Sequence, residues 1–108
     1  MYNIFMYCVV YVTVPDRESA DKLSEVLIRE RLAACVNVVD NVNSVFHWQG
    51  RVDKGSELLL IIKTKQDLFE RLAKEVKAIH PYEVPEIIAM PIIAIDDDYA
   101  SWFSSCVD

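Results

Sequence analysis

Two stretches of the chain, Ile4 to Val14 and Leu58 to Ile62, are apolar at odd and even positions alike. Successive side chains of a strand point to opposite faces of its sheet, so a sheet with one wet face alternates apolar and polar residues. These two stretches do not alternate. Whatever sheet they form must be covered on both sides, and that requirement limits every architecture open to the chain.

Helical signals fall between the strand signals. Pro15 stops the first strand, and Asp16 offers an N-cap oxygen to a helix predicted to run to about Leu32. Ala20, Leu23 and Leu27 make one apolar stripe with Val26 beside it, while Lys22, Glu25 and Arg29 fill the opposite face. Glu25 and Arg29 are spaced as an i, i+4 pair. Ala33 to Trp48 is rich in valine and reads as one long strand with a bulge or bend near Asp40-Asn41. Gln49-Gly50 and Lys54-Gly55 supply turn chemistry before the next strand, Glu57 to Thr64. The helical period returns from Gln66 to Ile79, with Leu68, Phe69, Leu72, Ala73, Val76 and Ile79 on one stripe. His80-Pro81 ends it, because the residue before proline is pushed out of the α region. Glu86 to Ile95 reads as a last long strand in which Pro91 favours an edge or a bulge. Asp96-Asp97-Asp98 then caps a short terminal helix carrying Tyr99, Trp102 and Phe103.

The order β-α-β-β-α-β plus a tail helix predicts one α+β domain over residues 1–108, ferredoxin-like in plan. Its sheet is antiparallel, with two helices on one face and a short C-terminal helix. Two helices cover only one face. The expected cover for the other is a second copy of the chain, so the pattern predicts an oligomer.

Composition narrows the function. Seventeen acidic against eleven basic residues leave a net charge of −6, which excludes a phosphate-backbone binder that must displace counterions. The 53% apolar share excludes a disordered chain. Cys8, Cys35 and Cys106 are odd in number and contain no C-x-x-C pair, so neither a disulfide framework nor a zinc knuckle is expected. That points to a reducing, cytoplasmic compartment. Met1 to Val14 carries no charge, yet it lacks a basic n-region and is shorter than the ~20 residues of a membrane-spanning helix. It reads as a strand, and no membrane insertion is expected.

Several segments, in order, resemble the CutA-type divalent-cation tolerance proteins. They are Thr13-Val14-Pro15-Asp16, Leu32-Ala33-Ala34-Cys35-Val36-Asn37, and Ser44-Val45-Phe46-His47-Trp48-Gln49-Gly50, in which Phe46 replaces the family's usual tyrosine. Glu57 followed by Ile62-Lys63-Thr64 continues the resemblance. His80-Pro81-Tyr82-Glu83-Val84-Pro85-Glu86 then carries its most specific motif, and Tyr99 and Trp102 close it. The resemblance implies a homotrimer whose sheets pack around a three-fold axis and pair partly across subunits, which would supply the missing cover. It implies a role in the response to metal ions, with weak or indirect binding of copper or another divalent cation and no obligatory cofactor. No enzymatic reaction is implied. In animals the family is linked to the handling of a membrane-anchored esterase. The alternative is a module like the trimeric PII proteins, holding a small ligand or an unidentified protein partner between subunits.

His80 is the metal candidate, since neutral imidazole suits copper, zinc and nickel. Some bacterial relatives carry a second histidine just before it and a cysteine on the first strand, where this chain has Ile79 and Val12, neither able to ligate. Cys8 shares the strand face of Val12 but lies ~13 Å along it. The competing reading of His80 is a helix C-cap that donates to the last carbonyls while Pro81 turns the chain. An inter-subunit cleft is expected to draw on Trp48, Glu57, Lys63, Tyr82, Glu86 and Tyr99. Tyr82, Pro85 and Glu86 would form its wall beside His80, or else a proline-clamped connection to the last strand. Glu57 and Lys63 share a sheet face in an unbroken strand. They line a polar pocket there or pair with other chains. Trp48, with His47, stacks on a ligand or anchors an interface. Cys35 reads as a small buried hydrophobe rather than a nucleophile.

Overall fold

The computed structural model describes residues 6–108, so Ile4 and Phe5 of the expected first strand lie outside the described residues. The elements run β1 (Tyr7–Val14), α1 (Arg17–Arg29), β2 (Cys35–Trp48), β3 (Arg51–Lys65), a 3-10 turn (Gln66–Leu68), α2 (Phe69–Ile79), β4 (Ile88–Pro91) and α3 (Asp97–Cys106). The sheet order is β2-β3-β1-β4 with every neighbour antiparallel, the arrangement of the ferredoxin-like plan.

Each helix start follows its cap. The Asp16 carboxylate accepts from Ser19 N–H at 2.8 Å, and Asp96 accepts from Tyr99 N–H at 3.1 Å. α1 ends at Arg29, three residues before the expected Leu32. Arg31 adopts a left-handed φ of 59°, its N–H donates to Ile28 O, and Leu32 N–H donates back to Leu27 O. That is a Schellman closure, with arginine where glycine is usual.

The strand boundaries differ from expectation in two places. Lys54-Gly55 is not a turn. It lies inside β3, with Val45 opposite Lys54 and Ser44 opposite Gly55. The reversal occurs wholly at Gln49 and Gly50, whose φ values of 50° and 79° make a two-residue loop matching the twist of the flanking strands. With so tight a turn the ladder runs on, and Phe46 packs over Gly55 with its ring 3.6 Å from where a Cβ would stand. The last strand is four residues, Ile88–Pro91, instead of Glu86 to Ile95. Pro91 has no N–H for the ladder, and only the Ile92 N–H to Tyr7 O bond extends the pairing. Pro91 does sit on an edge strand. The bulge in β2 falls where Asp40-Asn41 places it, between Val39 and Val42, with Asn41 at φ 59° and Asp40 paired to Arg17 of α1.

One face of the sheet meets the helices. Cys8, Val10, Val12 and Val14 of β1 and Leu60, Ile62 and Thr64 of β3 are buried against Ala20, Leu23 and Leu27 of α1 and Leu72 and Val76 of α2. Phe103 of α3 joins them, its ring edge-on to Tyr7. The intervening residues form the other face. Val9, Tyr11, Leu59 and Ile61 are half-buried, and their cross-strand neighbours Val39, Ile88 and Met90 are exposed. No element of the described chain covers this apolar face.

Candidate functional site

His80 is the C-cap of α2, where Pro81 forces its backbone into the extended region. Its N–H still closes the last helical turn on Val76 O, but the ring does not reach the last carbonyls as a C-cap of the expected kind would. Nε2 donates across the fold to Thr13 O of β1 at 2.7 Å, and Nδ1 accepts from Tyr82 N–H at 3.0 Å. The ring is buried and lies 4.8 Å from that of Tyr82. Tyr82 in turn donates its hydroxyl to Glu57 Oε2 at 2.8 Å. Glu57 stands on β3 just beyond the last β1 pairing, Val14 with Leu58, and is itself buried.

The result is a chain of contacts, Thr13–His80–Tyr82–Glu57, tying the end of α2 to two strands. Burial, the Glu57 hydrogen bond and the negative charges of Glu57 and Asp16 together push the Tyr82 hydroxyl up to about 12. A neutral phenol can donate to the carboxylate, whereas a phenolate would oppose it. Asp16 does double service here, capping α1 while adding its charge beside Tyr82. Its own carboxyl is held below the usual range by the backbone and side-chain hydrogen bonds from Ser19.

Within one chain the other expected residues stand apart from this cluster. Lys63 is six positions from Glu57 on an unbroken β3, ~20 Å along the strand, and bonds to Asn37 Oδ1 on β2. Trp48 lies at the far end of the β2–β3 hairpin and is half exposed. Glu86 is exposed. Tyr99 packs on Trp102, 5.3 Å between ring centroids, within α3. Cys35 is not in the core: it is half-buried on the open face, with Sγ 3.8 Å from Asn37 Oδ1. The Thr13 carbonyl carries no sequence signature, so its part in the site could not be found from residue types.

The donor set does not fit a resident metal within the single chain. His80 has both nitrogens committed, Val12 is wholly buried, and burial raises the Cys8 thiol. Among the described residues no three His, Cys, Asp or Glu side chains gather to hold an ion. No helix among them is long and apolar enough to cross a membrane.

Fold and site together define a small ferredoxin-like α+β domain with a bare apolar sheet face and a histidine-tyrosine-glutamate clasp at the sheet end. The chain belongs to the family described as CutA1 divalent ion tolerance protein, whose model matches residues 8–106. It is 52% identical over 97 residues to "Protein CutA, chloroplastic" of Arabidopsis thaliana, covering 90% of this chain and 53% of that protein. It is 48% identical over 94 residues to the divalent-cation tolerance protein CutA of Thermus thermophilus, covering 87% and 91%. The chain thus spans about half of the plant relative and nearly all of the bacterial one. A solved structure of the Thermus thermophilus protein superposes with a TM-score of 0.93 at 45% identity, covering 95% of this chain and 100% of that one. CutA1 of Oryza sativa gives 0.93 at 44% identity, with coverages of 96% and 95%.

Proposed function

We propose that the chain acts as a homotrimer in divalent-cation tolerance in the cytoplasm, with copper or a related cation bound weakly between subunits or acting indirectly, and with no catalytic turnover. The observation that carries this reading is the uncovered apolar sheet face, with Ile88 51% and Met90 45% exposed beside half-buried Val9, Tyr11, Leu59 and Ile61. Burying such a face is the main driving force for subunit association. Three-fold closure is what the family resemblance adds. The free thiols of Cys8, Cys35 and Cys106 are consistent with a reducing compartment.

Native mass spectrometry of chelator-stripped protein, followed by stepwise copper addition, tests the proposal. A trimer that takes up copper substoichiometrically or weakly is the expected result. A monomer would overturn the assembly, and tight loading of one ion per chain would overturn the account of the metal. A second reading, a PII-like module with a small ligand between subunits, is favoured by the buried Glu57 carboxylate held by the exposed Tyr82 hydroxyl. A metabolite thermal-shift screen separates the two, because only this reading predicts a ligand that raises the melting temperature.

A further inference from the structure

Helix α3 is anchored on one side and bare on another. Phe103 is wholly buried in the core, and the Tyr7 hydroxyl lies 2.7 Å from Ser104 Oγ. Just past the helix, the Asp108 carboxylate is 3.3 Å from both Arg31 and Arg71. The outward side carries Asp98 and Trp102, four residues apart and so one above the other, with Tyr99 between Trp102 and Phe103. Tyr99 and Trp102 are 41% and 46% exposed, yet their rings stand only 5.3 Å apart. Phe103 meets Tyr99 edge-on at 6.1 Å, so the exposed pair is held from the core side. Its geometry is set before anything binds, which lowers the entropy cost of binding.

The same helix begins with Asp96, Asp97 and Asp98. Asp96 is engaged by the cap. Among the described residues the ion pairs join Arg17 to Asp21 and Asp40, and Asp108 to Arg31 and Arg71. Asp97 and Asp98 have none.

We propose that this face of α3 docks an arginine-bearing basic segment of a partner protein, with one guanidinium lying on the Trp102 and Tyr99 rings and pairing with Asp98. The face of an aromatic ring attracts a cation, and a planar guanidinium stacks on it while its N–H groups point toward a carboxylate. Asp98 and Trp102 are neighbours across one helical turn, so carboxylate and ring reach the same group. Charge complementarity selects this occupant. An acidic segment is repelled by Asp97 and Asp98, and a purely apolar one takes water from them without replacing it. A second copy of this chain would bring its own net charge of −6. The proposal does not depend on the number of subunits.

The test titrates the full chain with a short capped peptide rich in arginine, and with the same peptide carrying citrulline, which keeps the shape and lacks the charge. Calorimetry gives the affinity, and NMR follows the Trp102 indole N–H apart from that of Trp48. The arginine peptide is expected to bind and to move the Trp102 signal, with the citrulline peptide at least about fivefold weaker. Trp102→Ala should weaken binding about fivefold and Asp98→Asn about threefold. Glu25→Gln removes the same charge from the exposed side of α1 and should leave the affinity unchanged. Circular dichroism and native mass spectrometry of each variant should match the wild type. An affinity weaker than about 1 mM for the arginine peptide overturns the proposal. So does undiminished binding by Trp102→Ala, or an equal loss in Glu25→Gln, which would reduce the effect to overall acidity. A Trp102→Ala protein that folds but changes its assembly mass would assign the face to neighbouring copies and overturn it as well.

Discussion

Tyr82 shows how one hydroxyl depends on its surroundings. An unperturbed tyrosine titrates near pH 10, whereas here the hydroxyl is pushed up to about 12 by burial and by Glu57 and Asp16. The folded value lies above the unfolded one, so folding favours the protonated phenol. Its contribution is complete below about pH 10 and is lost as pH rises from about 10 through about 12. Alkaline titration followed by tyrosinate absorbance should therefore show a late-ionising step, and Tyr82→Phe should abolish it. At neutral pH the same substitution should cost about 1 kcal/mol in urea denaturation, because the buried Glu57 loses its donor. A Tyr82 that ionises near pH 10, the value of an unperturbed tyrosine, would refute the pairing. That His80, Tyr82 and Glu57 were candidates was legible from residue type and motif, and the structure brings the three into contact. Their partners were not, since a backbone carbonyl such as that of Thr13 looks alike at every position.

The elements show where local chemistry suffices and where it is overridden. The Asp16 and Asp96 caps, the apolar stripes of α1 and α2, the Asp40-Asn41 bulge and the Gln49-Gly50 turn all lie where a few adjacent residues specify them. Lys54-Gly55 has turn composition but sits in β3, because a two-residue reversal at Gly50 already sets a register that continues through Gly55. The last strand is cut to four residues because its pairing depends on β1 and on Pro91, not on its own β propensity. Gly50 allows the turn to be tested in isolation. A Cβ there would meet nothing within 4 Å, so Gly50→Ala should cost only the left-handed backbone strain, about 1 kcal/mol. Chemical denaturation measures it. A neutral outcome would show that the hairpin does not need φ 79° at this residue.

At the scale of the whole molecule, the open sheet face is the largest unfinished feature. Leu59 lies on that face, between Leu58 and the buried Leu60, and pairs with Val39 and Thr13. Leu59→Lys leaves the helix-facing core untouched but places a charge where apolar faces of neighbouring copies would meet, at a cost of several kcal/mol per buried unpaired ion. The variant should fold with wild-type circular dichroism yet run as a monomer in native mass spectrometry under conditions where the wild type gives the proposed trimer. A variant that remains trimeric would place the interface elsewhere.

The sequence by itself determined the order of elements, both principal helices, the bulge and the apolar character of both sheet faces, and it offered two candidate turns of which the structure uses Gln49-Gly50. Each of these is written in residues within a turn or a pleat of one another, where the period of the backbone selects which side chains share a face. Only the tertiary structure decided that His80 reaches Thr13 instead of its own helix end, that Glu57 is buried under Tyr82, and that Lys63 and Trp48 stand far from both. Those outcomes depend on strand register and on how the end of α2 meets the sheet. Contacts of that kind join residues distant in sequence, and one of them ends on a backbone carbonyl, that of Thr13, which carries no residue-specific mark.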